Sequence, residues 1–199
     1  MQKPKRLRLP AEQRRAQIVD VATRLIGERG YWGVSLQDIA GECGISDTAV
    51  LHYFGTKEGL LLSVLERRDE RDREALAELL GVPVDELYDR LPEIPLLDFC
   101  AALVARNSTQ PEIVALYAIL DAEALQPDHP AHDYFEARER RVLASFAAVR
   151  SDLDLPPEQR ARFVLSLMDG LQLRWLRNRD GFDPVEEWAS IARTVLAPR

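Results

Sequence analysis

The chain has 199 residues, of which 46% are apolar and 30% charged, with a net charge of −7; this is the composition of a globular protein able to build a core without disulfide or metal staples. Uncharged stretches such as Ile113–Leu120 are far too short to cross a bilayer, and no apolar run follows the opening basic residues, which argues against a membrane span and a secretion signal. Cys43 and Cys100 stand far apart, without zinc or CxxC spacing, so the expectation is a cytoplasmic protein with two buried free thiols.

Residues 1–10 read as a basic arm ending at Pro10. The stretch Lys3 to Arg15 holds six basic residues against the single acid Glu12. Residues 1–60 hold nine Lys/Arg against seven Asp/Glu, while the remainder holds 17 against 26. A local basic patch attracts nucleic acid whatever the total charge, although a solubilising tail would carry the same signal.

From Ala11 onward Ile18, Val19, Ala22, Leu25 and Ile26 recur at helical spacing, up to a stop near Gly30. Ser35 with Asp38 resembles a capping box before a short helix through Cys43. Gly44 closes that helix, and Ser46 caps the next, which runs to Phe54 and ends at Gly55. Two short helices around a glycine turn make a helix-turn-helix, whose second helix offers its N-terminal half to the major groove. A plain pair of core helices has the same periodicity.

A fourth helix starts near Lys57 and continues through Glu66–Glu78, where alternating charges suggest a solvated face, to Leu80. No flexible linker intervenes between this helix and the rest. Prolines and apolar periodicity then mark a short segment at 84–91, followed by helices over 96–107, from Pro111, over 131–150, over 158–179 and over 185–196. Strand signals and internal repeats are absent.

The text of residues 18–61, IVDVATRLIGERGYWGVSLQDIAGECGISDTAVLHYFGTKEGLL, resembles the N-terminal domain of the TetR family of bacterial regulators. The diagnostic pieces are SLQDIA at 35–40, GIS at 44–46 and HYFGTKEGL at 52–60. LMDGLQLRWL at 167–176 is similar to the penultimate helix of many members. The resemblance implies an all-α fold: a three-helix DNA-binding domain (residues 11–56) after the basic arm (1–10), then a helical effector-binding and dimerisation domain (57–199), about nine helices in total. It also implies a homodimer on a palindromic double-stranded DNA operator, acting as a repressor that a small-molecule effector releases. A transcriptional activator and a ligand-independent repressor are the alternatives, with an enzyme or scaffold keeping only the helix-turn-helix shape as the rival of a different class. No cofactor is expected, and no catalytic motif is present.

Carried over residue by residue, the resemblance makes Ser35, Ser46, Asp47, Thr48, His52, Tyr53 and Lys57 the DNA-binding candidates. Ser46 resembles the cap of the reading helix. Tyr53 and Lys57 resemble phosphate contacts, with core packing and solvation as their plain alternatives, and Phe54 resembles a core residue. Two positions depart from the family pattern: Asp47 stands where lysine is common, and Leu51 where tyrosine is common. Asp47 is either an acceptor for a cytosine amino group or a helix-start carboxylate; Leu51 fits the core.

In the body, Met168, Leu171, Trp188, Ile191 and Val195 are candidates for the dimer interface, because the last two helices hold more large apolar residues than one face needs. Arg106, Asn107, Tyr117, Asp121, Asp169 and Trp175 interrupt apolar helices. Each is either a structural partner or part of an effector pocket between the helices spanning 96–124 and 158–179. An unpaired Arg106 would favour an anionic or carbonyl-bearing ligand, whereas pairing with Asp98 or Asp169 would remove that preference. His129 and His132 are three apart, but Pro130 between them favours capping and hydrogen bonding over a metal site.

Overall fold

The computed structural model describes residues 9–196. Among these are ten α-helices: α1 (Ala11–Arg29), α2 (Leu36–Cys43), α3 (Asp47–Phe54), α4 (Lys57–Leu80), α5 (Leu87–Arg90), α6 (Leu96–Ser108), α7 (Pro111–Glu123), α8 (His132–Ala148), α9 (Pro157–Arg177) and α10 (Pro184–Ile191). A single 3-10 turn covers Leu91–Glu93 and a π-helical turn covers Ala192–Leu196. The only β-type pairing among the described residues is an isolated bridge between Pro95 and Arg150. The basic residues Lys3, Lys5, Arg6 and Arg8 of the expected arm lie outside the described residues.

The chain divides into two compact units, one ending at Glu66 and the other beginning at Arg67. In the first, Ile18, Val19, Ala22, Leu25 and Ile26 of α1 are buried with Ile39 and Ala40 of α2, Val50 of α3, and Leu60, Leu61, Val64 and Leu65 of α4. Local chemistry fixes the short helices. The Ser35 hydroxyl accepts from the Asp38 amide at 3.1 Å, and the Asp38 carboxylate accepts from the Ser35 amide at 2.8 Å, a complete capping box. Gly44 ends α2 in the left-handed conformation (φ 66°, ψ 32°), which costs a residue with a Cβ. Two residues later the Ser46 hydroxyl caps α3 by accepting from the Ala49 amide at 3.1 Å.

In the second unit the core gathers Leu76 and Ala77 of α4, Phe99, Cys100 and Val104 of α6, Phe146 of α8, Val164, Met168 and Leu171 of α9 and Trp188 of α10. Phe99 and Phe146 meet edge to face, with ring centroids 5.2 Å apart. Buried Arg160 donates from Nη2 to the carbonyls of Ala147 (2.9 Å) and Val149 (3.1 Å), satisfying the C-terminal end of α8. The Leu96 amide donates to the Arg150 carbonyl at 2.7 Å, and the Arg150 amide to the Ile94 carbonyl at 3.0 Å; these bonds join the start of α6 to the chain just after α8.

One expectation for α4 needs correction. Its charged stretch is not simply a solvated face, because Arg68 and Asp72 are buried (8% and 6% exposed) and Asp69 is half-buried. The i, i+4 spacing of Arg68 and Asp72 puts them on one side of the helix, where they form an ion pair.

Candidate nucleic-acid interface and internal cavity

On α3, Val50 faces the core and Thr48, Leu51 and His52 are exposed. These three follow the i, i+3, i+4 spacing of a single helix face. Leu51 is 38% exposed, so it belongs to this outer face and not to the core. Asp47 opens the helix, and its Oδ1 accepts from the Thr48 amide at 2.8 Å, which is the behaviour of a helix-start carboxylate. Tyr53 and Phe54 are half-buried; the Arg15 guanidinium lies 4.9 Å from the Phe54 ring centroid and donates to Ser63 Oγ at 3.0 Å.

Lys57 is engaged within the protein. Its Nζ donates to the Tyr31 carbonyl at 2.7 Å and stands 4.0 Å from the centre of the Tyr31 ring. Tyr31 is itself buried, donates its hydroxyl to Glu58 at 3.1 Å, and has its pKa raised, first by burial and then by that carboxylate. The turn after α1 is thereby clasped to the first turn of α4. Arg14 is likewise used internally, donating to the Cys43 carbonyl at 3.2 Å and to Gln17 at 2.6 Å. Thus two of the six basic residues between Lys3 and Arg15 have structural partners.

The second unit forms a partly open cavity of about 580 Å³. Six helices, α4 to α9, supply its wall. Phe99, Val114, Phe135, Phe146 and Met168 give it apolar surface. At the α4 side, Asp72 pairs with Arg68 and lies 3.6 Å from Arg106. Arg106 also donates from Nη2 to Asn107 Oδ1 at 2.7 Å, and Asn107 donates to Gln172 at 2.7 Å. Burial pulls the Arg106 guanidinium down to about 10, with Asp72 opposing the shift. Asp69 accepts from Tyr134 at 2.6 Å and from Tyr117 at 3.2 Å, and has Arg68, Arg138 and Arg141 within 3.4–4.0 Å. The Tyr117 ring is flanked by Arg68 at 3.8 Å and Arg138 at 4.9 Å. Elsewhere on the wall stand Asp121 of α7, Glu139 of α8 and Asp169 of α9. Asp169 is an exposed residue, yet desolvation of its carboxyl by the surrounding wall lifts it to about 6; Arg138 opposes the shift, and Asp121 and Glu139 add to it. Burial also raises Asp121, again against Arg138.

Residues 18–64 match the sequence profile of the family described as "Bacterial regulatory proteins, tetR family". The HTH-type transcriptional regulator BetI of Agrobacterium fabrum is 32% identical over 166 residues, which cover 81% of this chain and 76% of that protein. The chain belongs to the TetR family. The HTH-type transcriptional regulator PksA of Bacillus subtilis is 28% identical over 170 residues, covering 81% of this chain and 78% of its own. The reduced form of Escherichia coli NemR has the same fold, with a TM-score of 0.71 at 20% identity, over 94% of this chain and 98% of that one. TetR-family proteins are DNA-binding regulators of transcription, typically ligand-responsive repressors that bind operators as dimers. This chain is such a regulator and not an enzyme.

Within this TetR-family chain, the cavity brings together five of the six residues singled out from the body sequence: Arg106, Asn107, Tyr117, Asp121 and Asp169. Trp175 is the exception; it is buried but stands outside the lining. Arg106 pairs with Asp72 and Asn107, not with Asp98 or Asp169, so the argument for an anionic ligand loses its basis. Sequence reasoning missed Arg68, Asp69 and Asp72, and also Tyr134, Arg138 and Arg141, which reach Asp69 from α8. The inward i, i+4 pair Arg68–Asp72 was the available signal, hidden among like-spaced charges on the same helix. Three of the expected interface residues, Met168, Leu171 and Trp188, are only 2–5% exposed and sit in the unit's own core, because α9 and α10 bury that side against α6. Ile191 is half-buried and Val195 is 44% exposed. Phe163 of α9 is 39% exposed, and a Cβ at Gly170 would meet nothing within 4 Å. His129 Nδ1 accepts from the Ala131 amide at 3.2 Å, and His132 Nδ1 lies 2.8 Å from the Ala124 carbonyl, at the start of α8. Among the described residues no group of three or more His, Cys, Asp or Glu is placed to hold a metal ion, and no helix is long and apolar enough to cross a membrane.

Proposed function

We propose that residues 11–56 read a palindromic operator through the outer face of α3, and that residues 57–199 dimerise and take up a small-molecule effector that releases the DNA. The observation that carries this reading is the exposed row Thr48, Leu51 and His52 on a helix capped at Ser46 and preceded by a tight glycine turn. Side chains presented this way reach base edges in the major groove. Tyr53, half-exposed beside His52, is assigned a phosphate contact. Ser35, Ser46 and Asp47 act mainly by fixing the helix starts, and Lys57 mainly by clasping Tyr31.

For the dimer, the face of α9 carrying Phe163, Leu167, Gly170 and Arg174 is assigned as the seam, together with Val195 and Ile191. These α9 positions repeat every three or four residues; Phe163 and Arg174 are exposed, while Leu167 is half-buried at the edge of the core. An open glycine there permits close approach of a second helix. For effector response, α4 is one uninterrupted helix from Lys57 to Leu80. Its side chains Arg68, Asp69 and Asp72 are held by α6, α7 and α8 around the cavity. A ligand that binds better when those contacts are rearranged shifts α4 and with it the spacing of the two reading helices, which must match roughly 34 Å of DNA.

Selection of genomic fragments by the purified protein tests the reading. The expected result is one enriched short palindrome; no enrichment at low salt contradicts it. Promoter output with and without the protein separates repression from activation.

A further inference from the structure

The outer face of α3 mixes polar and apolar chemistry. Thr48 and His52 carry hydrogen-bonding groups, whereas the side chain of Leu51 has neither a donor nor an acceptor. Leu51 is nevertheless 38% exposed, while its neighbour Val50 is fully buried in the core of the N-terminal unit. Helical geometry accounts for the contrast, because each step along the helix turns the side chain by about 100°. Both ends of α3 fix this orientation. The Ser46 hydroxyl accepts from the Ala49 amide at 3.1 Å, and the amide of Gly55, at φ 74°, donates to the Leu51 carbonyl at 2.8 Å. With Val50 buried and both ends held, Leu51 stays on the face it shares with Thr48 and His52.

Chemistry limits what a leucine can recognise there. The major groove offers hydrogen-bonding groups on every base pair but only one apolar group, the 5-methyl of thymine. Leucine gains nothing from a base donor or acceptor, and covering one without pairing it costs free energy. Against a methyl group, both apolar surfaces leave water together. We propose that Leu51 reads thymine: its side chain packs against the 5-methyl group of one thymine in each half-site and selects that base by the methyl alone. This rests on the operator-reading assignment above and specifies what one side chain of the α3 face recognises. Hydrogen-bonded readout is left to Thr48 and His52, which flank Leu51 on the same face.

The test uses the palindrome obtained by genomic selection, resynthesised with deoxyuridine in place of each thymine in turn, at symmetry-related positions of both half-sites. Uracil keeps every hydrogen-bonding group of thymine and lacks only the methyl. Affinities of the full-length protein are measured by fluorescence anisotropy at one salt concentration, for wild type, Leu51→Ala and Leu51→Gln. Wild type is expected to weaken at one thymine position, by about fourfold per half-site and so by more than about tenfold over both. At that position both variants should bind the thymine and uracil operators within about twofold of each other. With cytosine placed there instead, 5-methylcytosine should restore about the same factor to wild type and none to the variants. A circular-dichroism melt close to that of wild type is expected for Leu51→Ala, whose side chain lies outside the core. If no uracil substitution weakens wild type, or if the weakening is the same in both variants, the proposal is overturned while α3 remains the reader through Thr48 and His52. A selected half-site without an A·T pair overturns it in the same way. A selection that enriches no sequence overturns the operator reading, and this proposal with it.

Discussion

The N-terminal unit and the helical body use their polar side chains in opposite ways. In the first, the residues assigned to DNA lie within one run of about twenty, outside the core, and each is oriented by a cap or turn only a few residues away. In the body, the cavity's polar residues come from six helices, and many of them already hold one another: Asp69 is reached from α4, α7 and α8, and Asp72 from α4 and α6. A surface reader can be built from local geometry. An interior site exists only once the whole unit has packed, so its chemistry is inseparable from its stability.

That difference predicts unequal mutational costs. Asp72→Ala leaves Arg68 and Arg106 without their shared carboxylate inside the body, and should cost about 3–5 kcal/mol in urea unfolding. A cost near zero would mean that the body's charges are as independent as those of a surface. On the reading side, Ser46→Ala removes one cap bond and should cost about 1 kcal/mol, with operator affinity falling alongside as α3 frays. Loss of affinity without loss of stability would instead make the Ser46 hydroxyl a direct DNA contact.

Lys57→Met sharpens the boundary between the two modes. With its ammonium engaged by Tyr31, the substitution should destabilise the N-terminal unit by about 1 kcal/mol and leave the salt dependence of DNA binding unchanged. A log–log salt slope lowered by about one per half-site, with stability intact, would restore a phosphate role for this residue. The smallest effect concerns pH. The folded-state value of Asp169 is raised to about 6 from the ordinary 3.8. The folded protein therefore holds this proton more tightly than the unfolded chain, and the stability it contributes is present below the ordinary range and is lost as pH rises through 6. Asp169→Asn should accordingly gain melting temperature relative to wild type at pH 7.5 and lose that advantage at pH 4; an advantage independent of pH would show that the carboxyl is not strained by its surroundings.

How much of this was legible in the sequence follows the same division. The boundaries of α1 to α4 are set by Gly30, Ser35–Asp38, Gly44, Ser46 and Gly55, all local signals, and the structure ends and starts those helices there. Polar residues interrupting apolar helices, such as Arg106, Asp121 and Asp169, do line the pocket, since a charge is conspicuous against an apolar helix. Partners were not legible. Asp72 lies 34 residues from Arg106, and only tertiary packing shows which of the many charges on α4 turns inward. Periodicity likewise counts apolar residues without saying which face meets which neighbour, so Met168, Leu171 and Trp188 looked available to a partner although they fill the unit's own core. Leu51 shows the converse: an apolar residue read as core, which its place on an eight-residue helix turns outward.

The most direct test of the account is the operator preference of the α3 face. The selected palindrome and every single-base variant of one half-site would be titrated with wild type and with Thr48→Ala, Leu51→Ala and His52→Ala at one fixed salt concentration. The account predicts that at least one substitution flattens the preference at a single position per half-site, a loss of about 1–3 kcal/mol in discrimination, while the ranking at other positions stays as in wild type. Three variants that keep the full wild-type ranking, or that weaken all sequences alike, would contradict the assignment of this face as the reader.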